Sequence, residues 1–332
     1  MKKIKVIVTD YVEPDLQWEK EEFRKLPIDF SCFQLKFAAP EELLKRVSDA
    51  EILIVNMAKI DAKAIAGLDH CRLIIRHGVG YDNVDVAAAA RKNIVVSYIP
   101  DYCVNEVAEQ AVMLILACQR KLLIQNAILK APSQNRNWKI SSVYPIFSLK
   151  DKTLGIIGYG RIGGTVHDMM RGFGLRFMIA DPYLSAGKKK TTVGKTYPLK
   201  EVLQRSDIIT IHVPLNKETY HLIDEKEIAL MKKAAVLVNT SRGGVVNLTA
   251  LDTALRNGQL AHAGIDVYEE EPPAADMPLL HNDRAILTPH LGWLSEEAGW
   301  DIRRKIMEDV RQYLNKQQPR FSAVPEIKIK FK

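Results

Sequence analysis

The chain has 332 residues, more than one hydrophobic core usually contains, and this length predicts two domains. Its composition, 47% hydrophobic and 26% charged, is that of an ordinary soluble globular protein. The net charge of +7 is expected to attract small anions. Because lysines and arginines are interspersed with acids and no aromatic-studded basic helix occurs, we expect no nucleic-acid partner.

The sequence contains no stretch that predicts a membrane span. Its longest strictly apolar run, AVMLILAC at residues 111–118, is far shorter than the roughly 18 residues required. The beginning, MKKIKVIVTDYVEPD, is typical of a first strand rather than of a secretory signal. We therefore expect a cytoplasmic protein without a membrane partner.

The cysteines are scattered. Cys32, Cys71, Cys103 and Cys118 form neither a CxxC pair nor a cluster with histidines. This spacing predicts no zinc site and no disulfide framework, and we expect no bound metal.

The first third of the chain alternates short β-branched runs with helical patterns, which predicts an α/β protein with parallel sheets. The predicted strands cover residues 4–10, 50–56, 71–78 and 93–99. Helical stretches such as PEELLKRVSD separate them.

The middle of the chain predicts one long helix over residues 105–130, followed by a loop with Pro132, Asn135, Asn137 and Trp138. A second alternating series then begins, with strands at TLGIIG, FMIADP, IITIHVP, AVLVNTS, HAGIDV and AILTPH. From Ser295 the pattern is helical and then frayed. Two α/β units are therefore expected, with the long helix as a hinge or brace.

A glycine-rich turn follows the first strand of the second series. Gly158, Gly160 and Gly163 form G-x-G-x-x-G between a predicted strand and a predicted helix. Such glycines permit a tight turn, a close approach to a pyrophosphate and packing of helix against strand. The helix N-terminus then offers N–H groups to phosphate. Without this context the motif is weak, and the glycines would be ordinary loop residues.

The end of the next predicted strand carries Asp181, at the distance expected for a carboxylate that binds ribose hydroxyls. Its charge would repel a 2′-phosphate, which favours NAD over NADP. The lysines at residues 188–190 could instead contact a 2′-phosphate, although a solvated loop is the more ordinary interpretation.

Three polar residues follow later strands of the series: Arg242, Glu271 and His290. Because ligands bind beyond the carboxyl ends of parallel strands, we expect the three side chains to meet there. An arginine binds a carboxylate, a histidine exchanges a proton with a neighbouring carbonyl oxygen, and a glutamate stabilises the protonated imidazole. Each residue alone would more often be a surface or loop residue.

These segments resemble the D-isomer-specific 2-hydroxyacid dehydrogenase family over nearly the whole chain. The similar stretches are RHGVGYDNVD, GYGRIGG, SDIITIHVPLNKETYHLI, LVNTSRGGVVN, GIDVYEEEP and LTPHLGW. The resemblance implies a flavodoxin-like substrate domain (residues 1–103 and 295–332), a Rossmann NAD-binding domain (residues 104–294) and a cleft between them. It also implies oxidoreduction between a 2-oxo acid and a D-2-hydroxy acid.

The resemblance assigns roles to individual residues. It implies a catalytic set of Arg242, Glu271 and His290. The implied NAD contacts are Gly158, Gly160, Arg161, Ile162, Gly163, Asp181, His212, Pro214, Thr219, Thr240 and Asp266. The implied substrate contacts are Arg76, Val79, Gly80, Arg242 and Trp293, with the N–H groups of Val79 and Gly80 on the substrate carboxylate.

Two branches of the family are the most similar. DYCVNEVAEQA, Arg76 and Trp293 are similar to C-terminal-binding-protein-like dehydrogenases, in which such a tryptophan lines the substrate cavity. PHLG and YDNVD are shared with 3-phosphoglycerate dehydrogenases, but Asn56 stands near the position where those enzymes carry a phosphate-binding arginine. Trp293 could also be a simple packing residue. The sequence leaves the physiological acid open.

Two further expectations come from the resemblance. One is a homodimer formed through the NAD-binding domains, by the helix from Asn105 and the loop after it. The other is an alternative function as an NAD(H)-sensing scaffold of the C-terminal-binding-protein type, with little or no turnover.

Overall fold

The computed structural model describes residues 3–130, 143–184 and 195–331. The chain divides into two compact units, Met1–Tyr102 with Ser295–Lys332, and Cys103–Leu294. Two sequence features, the loop with Pro132, Asn135, Asn137 and Trp138 and the lysines at 188–190, lie outside the described residues.

The strands are short and mostly buried. They are β1 (Ile4–Val8), β2 (Ile28–Cys32), β3 (Ile52–Val55), β4 (Leu73–Arg76), β5 (Val95–Tyr98), β6 (Thr153–Ile157), β7 (Arg176–Ala180), β8 (Ile208–Ile211), β9 (Val236–Asn239), β10 (His262–Ile265) and β11 (Ala285–Leu287).

Helices follow most strands. They are α1 (Gln17–Arg24), α2 (Pro40–Val47), α3 (Ala62–Ala66), α4 (Val86–Arg91), α5 (Val104–Arg120), α6 (Leu122–Lys130), α7 (Arg161–Met170), α8 (Leu199–Arg205), α9 (Glu225–Leu230), α10 (Leu248–Arg256) and α11 (Glu296–Leu314).

The first unit is a parallel sheet in the order β2-β1-β3-β4-β5, which is the flavodoxin-like order. Residues of α1 and α11 pack against one face, and residues of α2, α3 and α4 pack against the other. Because both faces are covered, the central strands are continuously apolar, as in ILIV of β3. This arrangement confirms the predicted fold of the first unit.

Two features of the first unit differ from the sequence-based expectation. Strand β2 (IDFSC) was not predicted, because an edge strand with a polar side has a weak apolar pattern. The segment after α11 is not frayed throughout: Ile329 is buried in the core, and its N–H and carbonyl both bond the Gln318 amide. Two hydrogen bonds and one buried side chain hold this segment in place, although it forms no helix or strand.

The second unit is a parallel sheet in the order β11-β10-β9-β8-β6-β7. Thr196 forms an isolated parallel bridge with Ile179 of β7, at the position of a further edge strand. The chain therefore runs outward in one direction from β6 to β7 and in the other from β8 onward. The predicted Rossmann fold is confirmed, and its topological switch point lies between β6 and β8.

The single long helix predicted over residues 105–130 is wrong. The structure has two helices, α5 and α6, bent by 60° at Lys121. Lys121 adopts a left-handed conformation with φ 52°, and its N–H bonds the carbonyls of Ala117 and Cys118. A left-handed residue stops the helical hydrogen-bond ladder, and no apolar-periodicity signal reports this event.

The two helices differ in burial. Leu114 and Ile115 of α5 are fully buried in the second unit, whereas α6 has no buried residue. Among the described residues, no single helix is long and apolar enough to cross a membrane; only the bent pair α5–α6 reaches that length and composition.

Candidate active site

The glycine turn between β6 and α7 has the shape that a dinucleotide site requires. Gly158 has φ +88°, and a Cβ there would lie 2.7 Å from the His212 carbonyl oxygen. A Cβ on Gly163 would lie 2.1 Å from the Gly158 carbonyl oxygen. A Cβ on Gly160 would meet no atom within 4 Å. Two glycines therefore serve the packing of the turn, and the third leaves open space at the N-terminus of α7.

Asp181 lies directly after β7, beside the glycine turn. Its Oδ2 accepts a hydrogen bond from the Tyr159 N–H at 2.8 Å, and its Oδ1 accepts one from the Tyr183 N–H at 2.9 Å. Each carboxylate oxygen keeps a further lone pair. The carboxylate is thus fixed in place and able to accept from two ribose hydroxyls.

Two other predicted cofactor residues, Arg161 and Ile162, begin α7. The rest follow the carboxyl ends of the strands beyond the switch point. His212 and Pro214 follow β8, Thr240 follows β9 and Asp266 follows β10. Thr219 holds the loop after β8 closed, because its Oγ1 donates to the Pro214 carbonyl at 2.6 Å.

Thr240 supplies a direct test of whether a dinucleotide fits. Its hydroxyl is buried and has no hydrogen-bond partner among the described residues. A buried unsatisfied hydroxyl is costly, and a polar ligand group would relieve that cost. Together with the open space at Gly160, this orphaned hydroxyl shows that the residues present fit a dinucleotide.

The predicted catalytic pair is formed. His290 Nδ1 lies 2.6 Å from Glu271 Oε2, and Glu271 Oε1 accepts a hydrogen bond from the Tyr268 N–H at 3.1 Å. Both side chains are partly exposed, at 33% for His290 and 22% for Glu271. The imidazole is therefore oriented by the carboxylate through Nδ1, and Nε2 remains on the other side of the ring.

The pKa of the Glu271 carboxyl is lowered below its usual value. Burial alone would raise this pKa, but the hydrogen bond and charge of His290, the Tyr268 N–H and the charge of Arg242 together outweigh burial. Glu271 is consequently an ionised partner for the imidazole near neutral pH.

Arg242 follows β9 and lies within electrostatic range of Glu271. One of its guanidinium nitrogens donates to the Ser241 carbonyl at 2.8 Å, and its own carbonyl accepts from the Asn239 amide at 2.9 Å. The second unit thus gathers the glycine turn, Asp181 and the Arg242, Glu271 and His290 set on one sheet.

The substrate residues predicted in the first unit lie at the end of β4. Arg76 Nε donates to Asn83 Oδ1 at 3.3 Å, and another guanidinium nitrogen donates to the His77 carbonyl. In the described part of the chain, the N–H groups of Val79 and Gly80 donate to no protein acceptor. Two adjacent N–H groups of this kind can receive a carboxylate.

Trp293 and Asn56 are the two other residues that the sequence relates to the substrate. Trp293 is half-buried at the end of the second unit. The Asn56 amide nitrogen is buried without a partner among the described residues. These substrate assignments stay predictions.

Sequence reasoning missed several residues that support the catalytic pair. Tyr268 fixes Glu271 through its N–H and donates its hydroxyl to the Thr288 carbonyl at 3.1 Å. Gln110 of α5 bonds both Asp266 and Thr288. No spacing rule connects residues 110, 266 and 288, because only the fold brings them together.

No metal site or disulfide accompanies this arrangement in the described ranges. Clusters of three or more histidine, cysteine, aspartate or glutamate side chains suited to a metal do not occur among the residues described. In that part of the chain, the thiols of Cys32, Cys71, Cys103 and Cys118 form no disulfide bond.

Comparison with known proteins identifies relatives of this chain. Residues 112–292 match the family model of the D-isomer specific 2-hydroxyacid dehydrogenase, NAD binding domain. The D-3-phosphoglycerate dehydrogenase of Methanocaldococcus jannaschii is 36% identical over 313 residues, which are 94% of this chain and 57% of that relative. The chain therefore spans little more than half the length of this relative.

Other relatives are matched over most of their length. The glyoxylate reductase of Korarchaeum cryptofilum is 34% identical over 273 residues, 81% of each chain. The structure of the D-lactate dehydrogenase of Aquifex aeolicus, solved with NAD and lactic acid, is 28% identical with a TM-score of 0.84. That match covers 94% of this chain and 96% of the other.

Proposed function

The chain belongs to the D-isomer-specific 2-hydroxyacid dehydrogenase family, and we propose that it is an NAD-dependent oxidoreductase interconverting a 2-oxo acid and a D-2-hydroxy acid. The observation that carries this proposal is the 2.6 Å contact between His290 Nδ1 and Glu271 Oε2, in the unit that also contains the glycine turn. A histidine oriented by a carboxylate beside a dinucleotide site is the arrangement that carbonyl reduction requires.

Each catalytic side chain has a distinct task. The Arg242 guanidinium binds the substrate carboxylate and polarises the adjacent carbonyl. His290 donates a proton from Nε2 to the carbonyl oxygen, and takes it back in the reverse direction. Glu271 holds the ring through Nδ1, so that Nε2 lies on the side away from the carboxylate. NADH, when bound, supplies the hydride. The glycine turn, Asp181 and Thr240 would hold it.

Asp181 supports a preference for NADH over NADPH. Its carboxylate lies at the end of β7, where a 2′-phosphate would meet a negative charge. We expect NADH to bind well over tenfold tighter than NADPH, measured by fluorescence titration, because a like-charge contact at a partly buried carboxylate costs at least that factor. Tighter binding of NADPH would contradict this assignment of Asp181.

The function is tested with a panel of 2-oxo acids and the His290→Asn variant. Wild type should consume NADH with at least one of glyoxylate, hydroxypyruvate, phosphohydroxypyruvate and bulkier apolar 2-oxo acids. His290→Asn should lose roughly 100- to 10,000-fold in kcat and still bind NADH, because only the proton donor is removed. The exposed His281→Asn is the matched control. Turnover by His290→Asn equal to that of wild type would remove His290 from the mechanism.

The same panel addresses the substrate and the alternative function. Asn56, near the position where phosphoglycerate dehydrogenases usually carry an arginine, favours an unphosphorylated acid over phosphohydroxypyruvate. The Arg242, Glu271 and His290 set favours turnover over an NAD(H)-sensing scaffold. Tight NADH binding with no oxidation by any acid would support the scaffold instead.

We further propose a homodimer formed through the NAD-binding unit. Helix α6 has no buried residue, although its sequence LLIQNAILK is mostly apolar. Leu122, Leu123 and Leu129 are 54%, 53% and 64% exposed. An apolar helix face of this kind is typical of a protein–protein contact, and a second copy of the chain is the simplest occupant.

A further inference from the structure

The backbone of His290 has an unusual conformation. Its φ is +55°, in the left-handed region that residues other than glycine rarely adopt. Such conformations persist where the surroundings hold them in place, and they concentrate at functional sites. The turn at residues 288–292 must therefore be fixed by something outside itself.

Asp266 is the group that holds this turn. Its carboxylate accepts hydrogen bonds from the two N–H groups that follow His290, those of Leu291 at 3.1 Å and Gly292 at 2.9 Å. A Cβ on Gly292 would lie 2.8 Å from Asp266 Oδ2, so the turn and the carboxylate are in close contact. Asp266 itself is 1% exposed.

Gln110 and Thr288 hold the Asp266 carboxylate in place. The Thr288 hydroxyl donates to Asp266 Oδ1 at 2.5 Å, and Gln110 Nε2 lies 3.2 Å from the same oxygen. Gln110 Nε2 also donates to the Thr288 hydroxyl oxygen at 2.9 Å. Gln110 therefore connects α5 to both groups that position the histidine turn.

The orientation of the Gln110 amide follows from its partners. An ionised carboxylate only accepts hydrogen bonds, and the Thr288 hydroxyl has already given its single proton to Asp266. Both partners therefore require a donor, so the NH₂ group of Gln110 must face them. A glutamate at this position would have the same shape and the opposite hydrogen-bonding character.

We propose that Gln110 is a positioning residue for His290, acting through Asp266 and Thr288 on the turn at residues 288–292. The proposal rests on the proposed function, since it takes His290 as the proton donor. Gln110 touches neither substrate nor cofactor in this role. Asp266 Oδ2 accepts one hydrogen bond from within this network, which leaves it a lone pair for the predicted cofactor contact.

The first test is Gln110→Ala, with Gln119→Ala as the matched control. Gln119 is half-buried on the same helix, and its side chain donates a hydrogen bond to the Phe147 carbonyl. Gln110→Ala should lower kcat about tenfold or more, with the KM of the 2-oxo acid and the Kd of NADH within about threefold of wild type. Small displacements of a catalytic group have effects of this size on kcat.

A second measurement tests how firmly the turn at residues 288–292 is held, independently of enzymatic activity. Hydrogen exchange at the Leu291 and Gly292 amides should accelerate about tenfold or more in Gln110→Ala and stay unchanged in Gln119→Ala, because their acceptor is loosened. If kcat and exchange in Gln110→Ala both match wild type, the proposal is wrong. It is equally wrong if Gln119→Ala shows the same losses.

Three further variants separate hydrogen bonding from packing. Gln110→Glu should lose more kcat than Gln110→Ala, since two carboxylates about 3 Å apart cannot both ionise. Thr288→Val should behave as Gln110→Ala does, whereas Thr288→Ser should restore kcat. Wild-type kcat in Gln110→Glu, or failure of serine to improve on valine, would overturn the proposal.

Failure of the function and failure of this inference are distinguishable. If the wild-type protein binds NADH but oxidises it with none of the 2-oxo acids, the proposed function fails. The exchange rates of Leu291 and Gly292 in Gln110→Ala still report whether Gln110 holds the turn.

Discussion

Gly243, the residue after Arg242, lies in backbone contact with the segment that leads to Glu271. A Cβ on Gly243 would be 1.9 Å from the Tyr268 carbonyl carbon and 2.3 Å from the Glu269 nitrogen. Tyr268 in turn donates its N–H to Glu271. The absence of a side chain at Gly243 therefore allows the segment that carries Arg242 to approach the segment that leads to Glu271.

We expect Gly243→Ala to lower both thermal stability and kcat. The new methyl group overlaps backbone atoms, which cannot rotate away, and overpacking of this kind typically costs about 1–3 kcal/mol. Differential scanning fluorimetry and the NADH-oxidation assay measure the two effects. The control is Gly164→Ala in α7, where a Cβ would meet no atom within 4 Å. A Tm and kcat for Gly243→Ala equal to those of Gly164→Ala would contradict the close-contact explanation.

At the scale of elements, the break at Lys121 separates two helices with different surroundings. Helix α5 is a core element of the second unit, because its side chains pack among those of β6, β8 and β9. Helix α6 turns away by 60° and leaves Leu122, Leu123 and Leu129 exposed. The bend thus converts one apolar stretch of sequence into a core helix and a separate apolar surface.

The proposed dimer contact makes a prediction about this surface. Leu123→Glu with Leu129→Glu should convert a dimer into a monomer, because burying two unpaired carboxylates in an apolar contact is unfavourable by several kcal/mol. Size-exclusion chromatography with light scattering measures the molar mass. Phe173→Glu is the control, since Phe173 is another exposed apolar residue of the same unit, at 40%. A dimer that persists in the double variant would place the contact elsewhere.

On the scale of the whole molecule, partly and fully buried histidines connect stability to pH. Burial lowers the pKa of His77, His212 and His262, and for His212 to about 3. In the unfolded chain these imidazoles have a pKa near 6.5. Below about pH 6.5 the unfolded state therefore binds more protons than the folded state, so the free energy of unfolding falls as pH decreases.

We expect stability to be fully present above about pH 6.5 and to decline toward pH 4, with His212 contributing up to about 1.4 kcal/mol per pH unit. The measurement is urea unfolding at several pH values without cofactor. His212→Asn should reduce the slope of unfolding free energy against pH by about the contribution of one histidine. The variant of the exposed His281, His281→Asn, should leave this slope unchanged. An unchanged slope in His212→Asn would show that His212 does not carry this protonation.

The resemblance to the family implied the Rossmann and flavodoxin-like sheets. The sequence by itself determined the α/β class with parallel sheets, the glycine turn and the residues at the strand ends. It could do so because strand periodicity, glycine geometry and the placement of ligands at carboxyl ends are local rules. It did not determine the break at Lys121, the edge strand β2 or the contacts of Gln110 with Asp266 and Thr288. Those depend on a left-handed residue, a weakly patterned edge and side chains more than 150 positions apart in sequence. Only tertiary packing brings such groups within hydrogen-bonding distance, and local patterns carry no record of it.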